Sequence, residues 1–143
     1  MRLDVLIGGK AGQGINKVSS ILSNVLNRHG YYVFNYSDYP SLIRGGHNFN
    51  VLSISDDKVG SIESQLDCII GLDEKTVELH KKELKKDGII IGCEEFCDIG
   101  KNANIAQAAG FIKHIGISKE ELINDITITC LSDFKIKVKY ILE

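Results

Sequence analysis

A short apolar run that leads straight into a glycine-rich loop constrains the fold of this 143-residue chain more than any other feature. The run covers residues 3–7 and is typical of a buried strand. A loop with glycine at both ends, Gly8 to Gly14, follows it without a break. Apolar residues then recur at helical spacing from Ile15 to Leu26, and Gly30 stands where a helix often ends. The opening therefore predicts a strand, a glycine loop and a helix, in that order.

The rest of the chain continues the alternation of strands and helices. The patterns predict strands over 31–36, 47–54, 67–72 and 89–93, and helices over 73–86 and 102–115. Ser118 and Glu121 have the spacing of a capping box that opens one more short helix. We expect a single domain over 1–143 with an α/β fold, a layered sandwich with a mainly parallel central sheet, flanking helices and some antiparallel strands.

The end of the chain differs from the rest. Over 134–140, aromatic and β-branched residues alternate with lysines, which predicts a half-buried strand with one basic face. The lysines either protect an edge strand or face a phosphate group.

Composition excludes several classes of protein. Seventeen basic against nineteen acidic residues give a net charge of −2, which argues against a nucleic-acid binder. Hydrophobic residues make up 43% of the chain, but the longest apolar runs are far shorter than the roughly 20 residues of a membrane span. The first residues also lack the pattern of a signal peptide. We therefore expect a cytoplasmic protein that binds neither nucleic acid nor membrane.

Cysteine and histidine spacing gives little sign of a metal site. The cysteines form no CxxC pair, and we interpret them as reduced structural thiols: Cys68, Cys93, Cys97 and Cys130. Three histidines have no partner at the usual ligand spacing, and each lies in a predicted helix: His29, His80 and His114.

The glycine loop is the first candidate binding site. Free backbone N–H groups at the start of a helix favour an anion, and glycines let a ligand approach the backbone. The GxxGxG spacing matches neither the Rossmann fingerprint nor the P-loop. Its candidate ligand-binding residues are Gly9, Lys10, Gly12, Gln13 and Gly14. The alternative is a tight turn that binds nothing.

A second loop, which contains Arg44, Gly45, Gly46 and His47, is the other candidate. If the first two strands are parallel, both loops leave the same edge of the sheet, where α/β proteins bind their ligands. Arg44 suits a phosphate or a carboxylate, and His47 an anion contact or a proton donor. Alternatively, Arg44 orders its loop or meets a partner subunit, and His47 is a structural residue.

These loops together resemble a known family. The letters GGKAGQGI at 8–15, YP at 39–40 and RGGHN at 44–48, followed by a strand ending in SISD at 53–56, are similar to the gamma subunit or gamma domain of 2-oxoacid:ferredoxin oxidoreductases. These are the oxidoreductases of pyruvate, 2-oxoglutarate, ketoisovalerate and indolepyruvate. The variant most resembles the form in which the gamma domain is fused ahead of the alpha subunit. The resemblance covers residues 2–126; the segment 127–143 is not matched, and the chain is either a stand-alone subunit or a truncated product.

The resemblance implies a fold like domain III of pyruvate:ferredoxin oxidoreductase. It also implies an enzyme complex that oxidatively decarboxylates a 2-oxoacid to an acyl-CoA and passes the electrons to ferredoxin. Thiamine diphosphate and the iron–sulfur clusters are then held by alpha, beta and possibly delta subunits. This chain would pack on those subunits, help to bind coenzyme A and supply no catalytic residue. The alternatives are a stand-alone nucleotide- or coenzyme-binding module, and a structural protein with an empty glycine turn.

Overall fold

The computed structural model describes residues 1–38 and 46–128, which contain a five-stranded mixed sheet with helices packed against it. The strands are β1 (Arg2–Lys10), β2 (Tyr32–Asp38), β3 (His47–Ser55), β4 (Leu66–Gly71) and β5 (Leu84–Ile91). The helices are α1 (Ile15–Arg28), α2 (Glu74–His80), α3 (Ala103–His114) and α4 (Lys119–Ile128). Short 3₁₀ segments cover Lys81–Glu83 and Glu94–Asn102.

The strand order is β2-β3-β1-β4-β5. β3 pairs antiparallel with both β1 and β2, whereas β4 pairs parallel with β1 and β5 parallel with β4. Four strands therefore run in one direction and β3 runs against them, which confirms the predicted α/β fold. β1 and β2 are parallel, as expected for a strand–helix–strand unit, but β3 lies between them.

Most of the core lies between the sheet and the helices α1 and α3. The apolar stripe that predicts α1 is fully buried at Val18, Leu22 and Leu26 and packs on the strand residues Val5 and Ile7. Burying each such side chain contributes about 1.5–3 kcal/mol. A smaller cluster covers the opposite face of the sheet and contains Leu6, Val51, Leu66 and Ile69. The amphipathic helix thus fixes which face of β1 carries the main core, and the glycine loop lies where the two elements meet.

The predicted helix over 73–86 is wrong in its second half. Asp73 does cap α2, because its side chain accepts a hydrogen bond from the Thr76 backbone N–H. The helix ends at His80, however, and β5 begins at Leu84, with an irregular register against β4. The Nζ of Lys85 lies 2.9 Å from both carboxylate oxygens of Asp67 on β4. Charged residues on an edge strand resemble the solvated face of a helix, so the local pattern misled the prediction.

Other predictions agree with the structure. The predicted helix over 102–115 is α3, and the capping box is formed, because Ser118 and Glu121 exchange backbone-to-side-chain hydrogen bonds. The predicted strand over 134–140 and Cys130 lie outside the described residues.

Candidate functional site

β1 extends to Lys10, so the first three residues of the predicted glycine loop belong to the strand, and only residues 11–14 form the loop that joins β1 to the start of α1. Gly12 and Gly14 have φ angles of 94° and 89°, in the left-handed region that favours glycine. Gly14 is the N-cap of α1 and offers no side chain to the first turn, which also contains no acidic residue. The α1 N-terminus therefore keeps the partial positive charge that attracts an anion.

The side chain of Gln13 holds this loop against the sheet. Its Oε1 accepts a hydrogen bond from the Lys10 backbone N–H at 2.6 Å, and its Nε2 donates to the Leu72 carbonyl oxygen at 3.3 Å. Gly9 allows this packing, because a Cβ there would lie 2.5 Å from the Gln13 Oε1 and 2.9 Å from the Leu72 Cβ. The Gln13 amide is thus engaged within the protein and orders the loop.

A cleft of about 490 Å³ lies beside the loop. It is lined by the starts of α1 and α3 and by the end of β4: Gly12, Gln13, Gly14, Lys17, Leu72, Gly100, Ala103, Asn104 and Gln107. Neither helix has an acidic residue in its first turn or a side-chain hydrogen bond from its N-cap. The uncapped start of α1 and the Lys17 side chain therefore make this cleft favourable for a negatively charged group. At the start of α3, the Ala103 N–H already donates to the Gly100 carbonyl oxygen of the preceding 3₁₀ segment.

Asn104 and Gln107 connect α3 to the edge of the sheet. Asn104 Nδ2 donates to the Gln13 carbonyl oxygen at 3.0 Å. The buried Gln107 Nε2 donates to the carbonyl oxygens of Gly71 at 2.6 Å and Ile91 at 3.2 Å. Neither residue is among the site residues predicted from the sequence. The signal available in the sequence was a pair of amide side chains three residues apart at the start of an otherwise apolar helix.

A second cleft, of about 670 Å³, also borders the loop. It shares Gln13 and Leu72 with the first cleft, and its charged lining consists of two lysines, Lys10 and Lys75, and three carboxylates, those of Asp73, Glu74 and Glu78. Like charges repel, so the excess of carboxylates makes this cleft less suited to an anion than the cleft between α1 and α3.

The start of β3 lies directly beside the glycine loop. The Ala11 backbone N–H donates to the Gly46 carbonyl oxygen at 3.1 Å, and Lys10 pairs with His47 in the sheet. β1 and β2 run in the same direction, so the two predicted loops do leave one edge of the sheet. Arg44 and Gly45 lie outside the described residues, and their predicted ligand contacts stay predictions.

His47 forms a hydrogen-bonded chain with two residues from the α2 region. Its Nε2 lies 2.9 Å from the Nε2 of His80, and the Nδ1 of His80 lies 3.0 Å from a carboxylate oxygen of Glu83. Burial, followed by the charge of His80, lowers the pKa of His47 from its ordinary value of 6.5. A neutral His47 ties the end of the second loop to α2. His80, which the sequence suggested was an isolated residue on a charged helix, is buried and partnered.

The cysteines show no arrangement for chemistry among residues 1–38 and 46–128. Burial and the Asp67 charge raise the pKa of the Cys68 thiol to about 12, so this thiol stays protonated. The Cys97 thiol donates to the Cys93 carbonyl oxygen at 3.3 Å, and both cysteines are free. In the same part of the chain, no group of three or more His, Cys, Asp or Glu side chains is placed to hold a metal ion. No helix there combines the length and hydrophobicity needed to cross a bilayer.

Comparisons with known proteins identify relatives of this chain. The family model described as pyruvate ferredoxin/flavodoxin oxidoreductase matches residues 4–130. The alpha subunit of a 2-oxoacid:ferredoxin oxidoreductase from Sulfolobus sp is 38% identical over 85 residues, which are 59% of this chain and 13% of that protein. The corresponding subunit from Saccharolobus solfataricus is 34% identical over 85 residues, with the same coverage. The match therefore spans about an eighth of the length of these curated relatives.

Solved structures share the fold at low sequence identity. The gamma subunit of a keto/oxoacid ferredoxin oxidoreductase from Geobacter sulfurreducens has a TM-score of 0.78 and 18% identity, and the match covers 99% of this chain and 92% of that one. The 2-oxoglutarate:ferredoxin oxidoreductase from Magnetococcus marinus, with 2-oxoglutarate, coenzyme A and succinyl-CoA bound, has a TM-score of 0.78 and 15% identity, and the match covers 98% of this chain and 29% of that one.

Proposed function

The chain belongs to the pyruvate ferredoxin/flavodoxin oxidoreductase family, and from this premise we propose that it is the gamma-type part of a 2-oxoacid:ferredoxin oxidoreductase. In this proposal the complex converts a 2-oxoacid to an acyl-CoA in the cytoplasm. Thiamine diphosphate and iron–sulfur clusters belong to alpha, beta and possibly delta partner subunits, and electrons leave through them to ferredoxin. This chain packs on the partners, helps to bind coenzyme A and supplies no catalytic residue.

The cleft between the starts of α1 and α3 is the observation that carries the coenzyme A part of the proposal. Coenzyme A is a polyanion with a diphosphate, and the uncapped N-terminus of α1 provides backbone N–H groups and a positive dipole end for such a group. Lys17 lines the cleft and adds a full positive charge. Gly12 and Gly14 let a phosphate approach the loop backbone closely. The residues present thus fit the ligand, and their contribution is binding and orientation.

Gly12→Ala tests whether the loop binds coenzyme A, with Gly30→Ala as its matched control. Both glycines have a positive φ, 94° and 86°, and a Cβ at either position would meet no heavy atom within 4 Å. Each substitution therefore costs a similar backbone strain, about 1–2 kcal/mol. Gly12 lines the cleft, whereas Gly30 follows the far end of α1.

The assay uses the assembled complex, obtained by co-expression with its partner subunits, and a one-electron dye in place of ferredoxin. A panel of 2-oxoacids first identifies the substrate. We expect Gly12→Ala to raise the KM for coenzyme A several-fold and to leave the KM for the 2-oxoacid unchanged, and Gly30→Ala to change neither. Equal effects of the two substitutions would refute coenzyme A binding at the loop. A chain that recovers no partner subunits and binds coenzyme A unaided would instead support the stand-alone module.

A further inference from the structure

Asn104 contacts the glycine loop although 91 positions separate it from Gln13. Its Nδ2 donates to the Gln13 carbonyl oxygen at 3.0 Å, and a Cβ added to Gly14 would lie 2.7 Å from the same Nδ2. The Oδ1 of Asn104 is buried and has no hydrogen-bond partner among the described residues. The Asn104 side chain therefore packs directly on the peptide group between Gln13 and Gly14.

The orientation of this peptide group fixes the backbone conformation of the loop where it enters α1. The peptide is planar and trans, so its carbonyl oxygen and its N–H lie on opposite sides. The next residues begin α1, and Gly14 has no Cβ to restrict rotation about the peptide. If the peptide flipped, the Gln13 carbonyl oxygen would lose its donor on Asn104, and the backbone on either side, including the start of α1, would have to change conformation. A hydrogen bond that holds the Gln13 carbonyl oxygen prevents that rotation.

We propose that Asn104 is a positioning residue of the anion-binding loop, which locks the Gln13–Gly14 peptide against a flip and so keeps the loop competent for the phosphate groups of coenzyme A. The inference rests on the proposed function and extends it to a residue on a different helix. It assigns to α3, which lines the cleft, the amide that sets the loop geometry.

Asn104→Ala removes the hydrogen bond, and Asn102→Ala is the matched control. Asn102 is the same residue type two positions earlier, is the N-cap of α3 and makes no side-chain capping hydrogen bond. We expect Asn104→Ala to raise the KM for coenzyme A roughly two- to twelve-fold in the assembled complex, as expected for one lost hydrogen bond, with little change in kcat. Amide hydrogen exchange of the loop 10–15 should become faster in the same variant.

Asn104→Asp keeps the size and shape of the side chain, so a change in the KM for coenzyme A in this variant does not come from lost packing. At neutral pH its carboxylate cannot donate to the Gln13 carbonyl oxygen, and it places a negative charge in the cleft. We expect a larger rise in the KM for coenzyme A than in Asn104→Ala. The KM should recover in part at acidic pH, where the protonated carboxyl group regains a donor.

The outcomes separate this inference from the proposed function. If Gly12→Ala raises the KM for coenzyme A but Asn104→Ala behaves like Asn102→Ala, the loop binds coenzyme A and the positioning role is wrong. If neither Gly12→Ala nor Asn104→Ala changes that KM, the proposed function fails and the inference fails with it. If Asn104→Ala lowers kcat and the affinity for the 2-oxoacid equally, Asn104 has a general structural role, which also overturns the inference.

Discussion

Gln107 should stabilise the sheet edge that carries the candidate site. Its side chain is 1% exposed, and its Nε2 donates to the carbonyl oxygens of Gly71 and Ile91, at the ends of β4 and β5. Gln107→Ala removes two hydrogen bonds, which contribute about 1 kcal/mol each, and leaves their acceptors without this donor. The cavity left by the side chain adds to the loss. We therefore expect the free energy of unfolding to fall by about 2–4 kcal/mol.

Denaturant unfolding of the full chain measures this loss, with Gln65→Ala as the control because Gln65 is exposed. The midpoint should shift in Gln107→Ala while the denaturant slope stays constant, since the folded and unfolded states expose similar surface in both variants. For a chain of this size, the expected loss corresponds to a Tm lower by roughly 6–12 °C. A loss below about 1 kcal/mol, or one equal to that of Gln65→Ala, would refute the argument. Such a result would mean that the hydrogen bonds from Gln107 to these carbonyl oxygens do not contribute to the free energy of unfolding.

Three further predictions concern other parts of the site. The pKa of His47 is lowered in the folded state, so on acidification the His47 ring becomes protonated in the unfolded chain first, and the free energy of unfolding should fall as the pH decreases below about 6.5. Urea midpoints measured across this pH range should fall less in His47→Asn than in the unchanged chain. An equal fall would contradict the lowered pKa of His47. The buried Cys68, with its pKa of about 12, should react with a thiol reagent far more slowly than the exposed Cys97, and equal alkylation rates in the folded chain would contradict that burial. Arg44→Ala should raise the KM for coenzyme A in the assembled complex and leave that of the 2-oxoacid unchanged; an unchanged KM for coenzyme A would remove the phosphate role of Arg44.

Local sequence patterns predicted the features of the fold that depend on residues close together in the chain. The apolar run of β1, the glycine loop and the periodicity of α1 each depend on neighbours within a few residues. The caps at Asp73 and Ser118 also join residues three positions apart, and both are formed. Where charged residues occupy an edge strand, as around Lys85, the same local reasoning predicted a helix in place of the first part of β5, and the predicted strand over 89–93 covers only its end.

Contacts between distant segments were beyond the reach of these patterns. The chain brings His47 and His80 together across 33 positions because β3 begins beside α2. Nothing in the spacing of either histidine indicates the other, since the contact depends on the strand order. The expectation of coenzyme A as the ligand came from the resemblance of the two loop motifs to a known family. The structure places Gly46, the described end of the second loop, beside the first loop, because its carbonyl oxygen accepts a hydrogen bond from the Ala11 N–H.

Local patterns were enough to predict a strand, a glycine loop and a helix in that order, because turn residues and side-chain periodicity act over a few neighbouring positions. The position of β3 between two parallel strands, and the arrival of α3 at the same edge of the sheet, came from the three-dimensional packing. Those arrangements depend on which apolar faces are buried against each other, and many pairings satisfy the same alternation of apolar and polar residues. The amides of Asn104 and Gln107 became identifiable as parts of the site only when the packing of α3 placed them against backbone carbonyl oxygens.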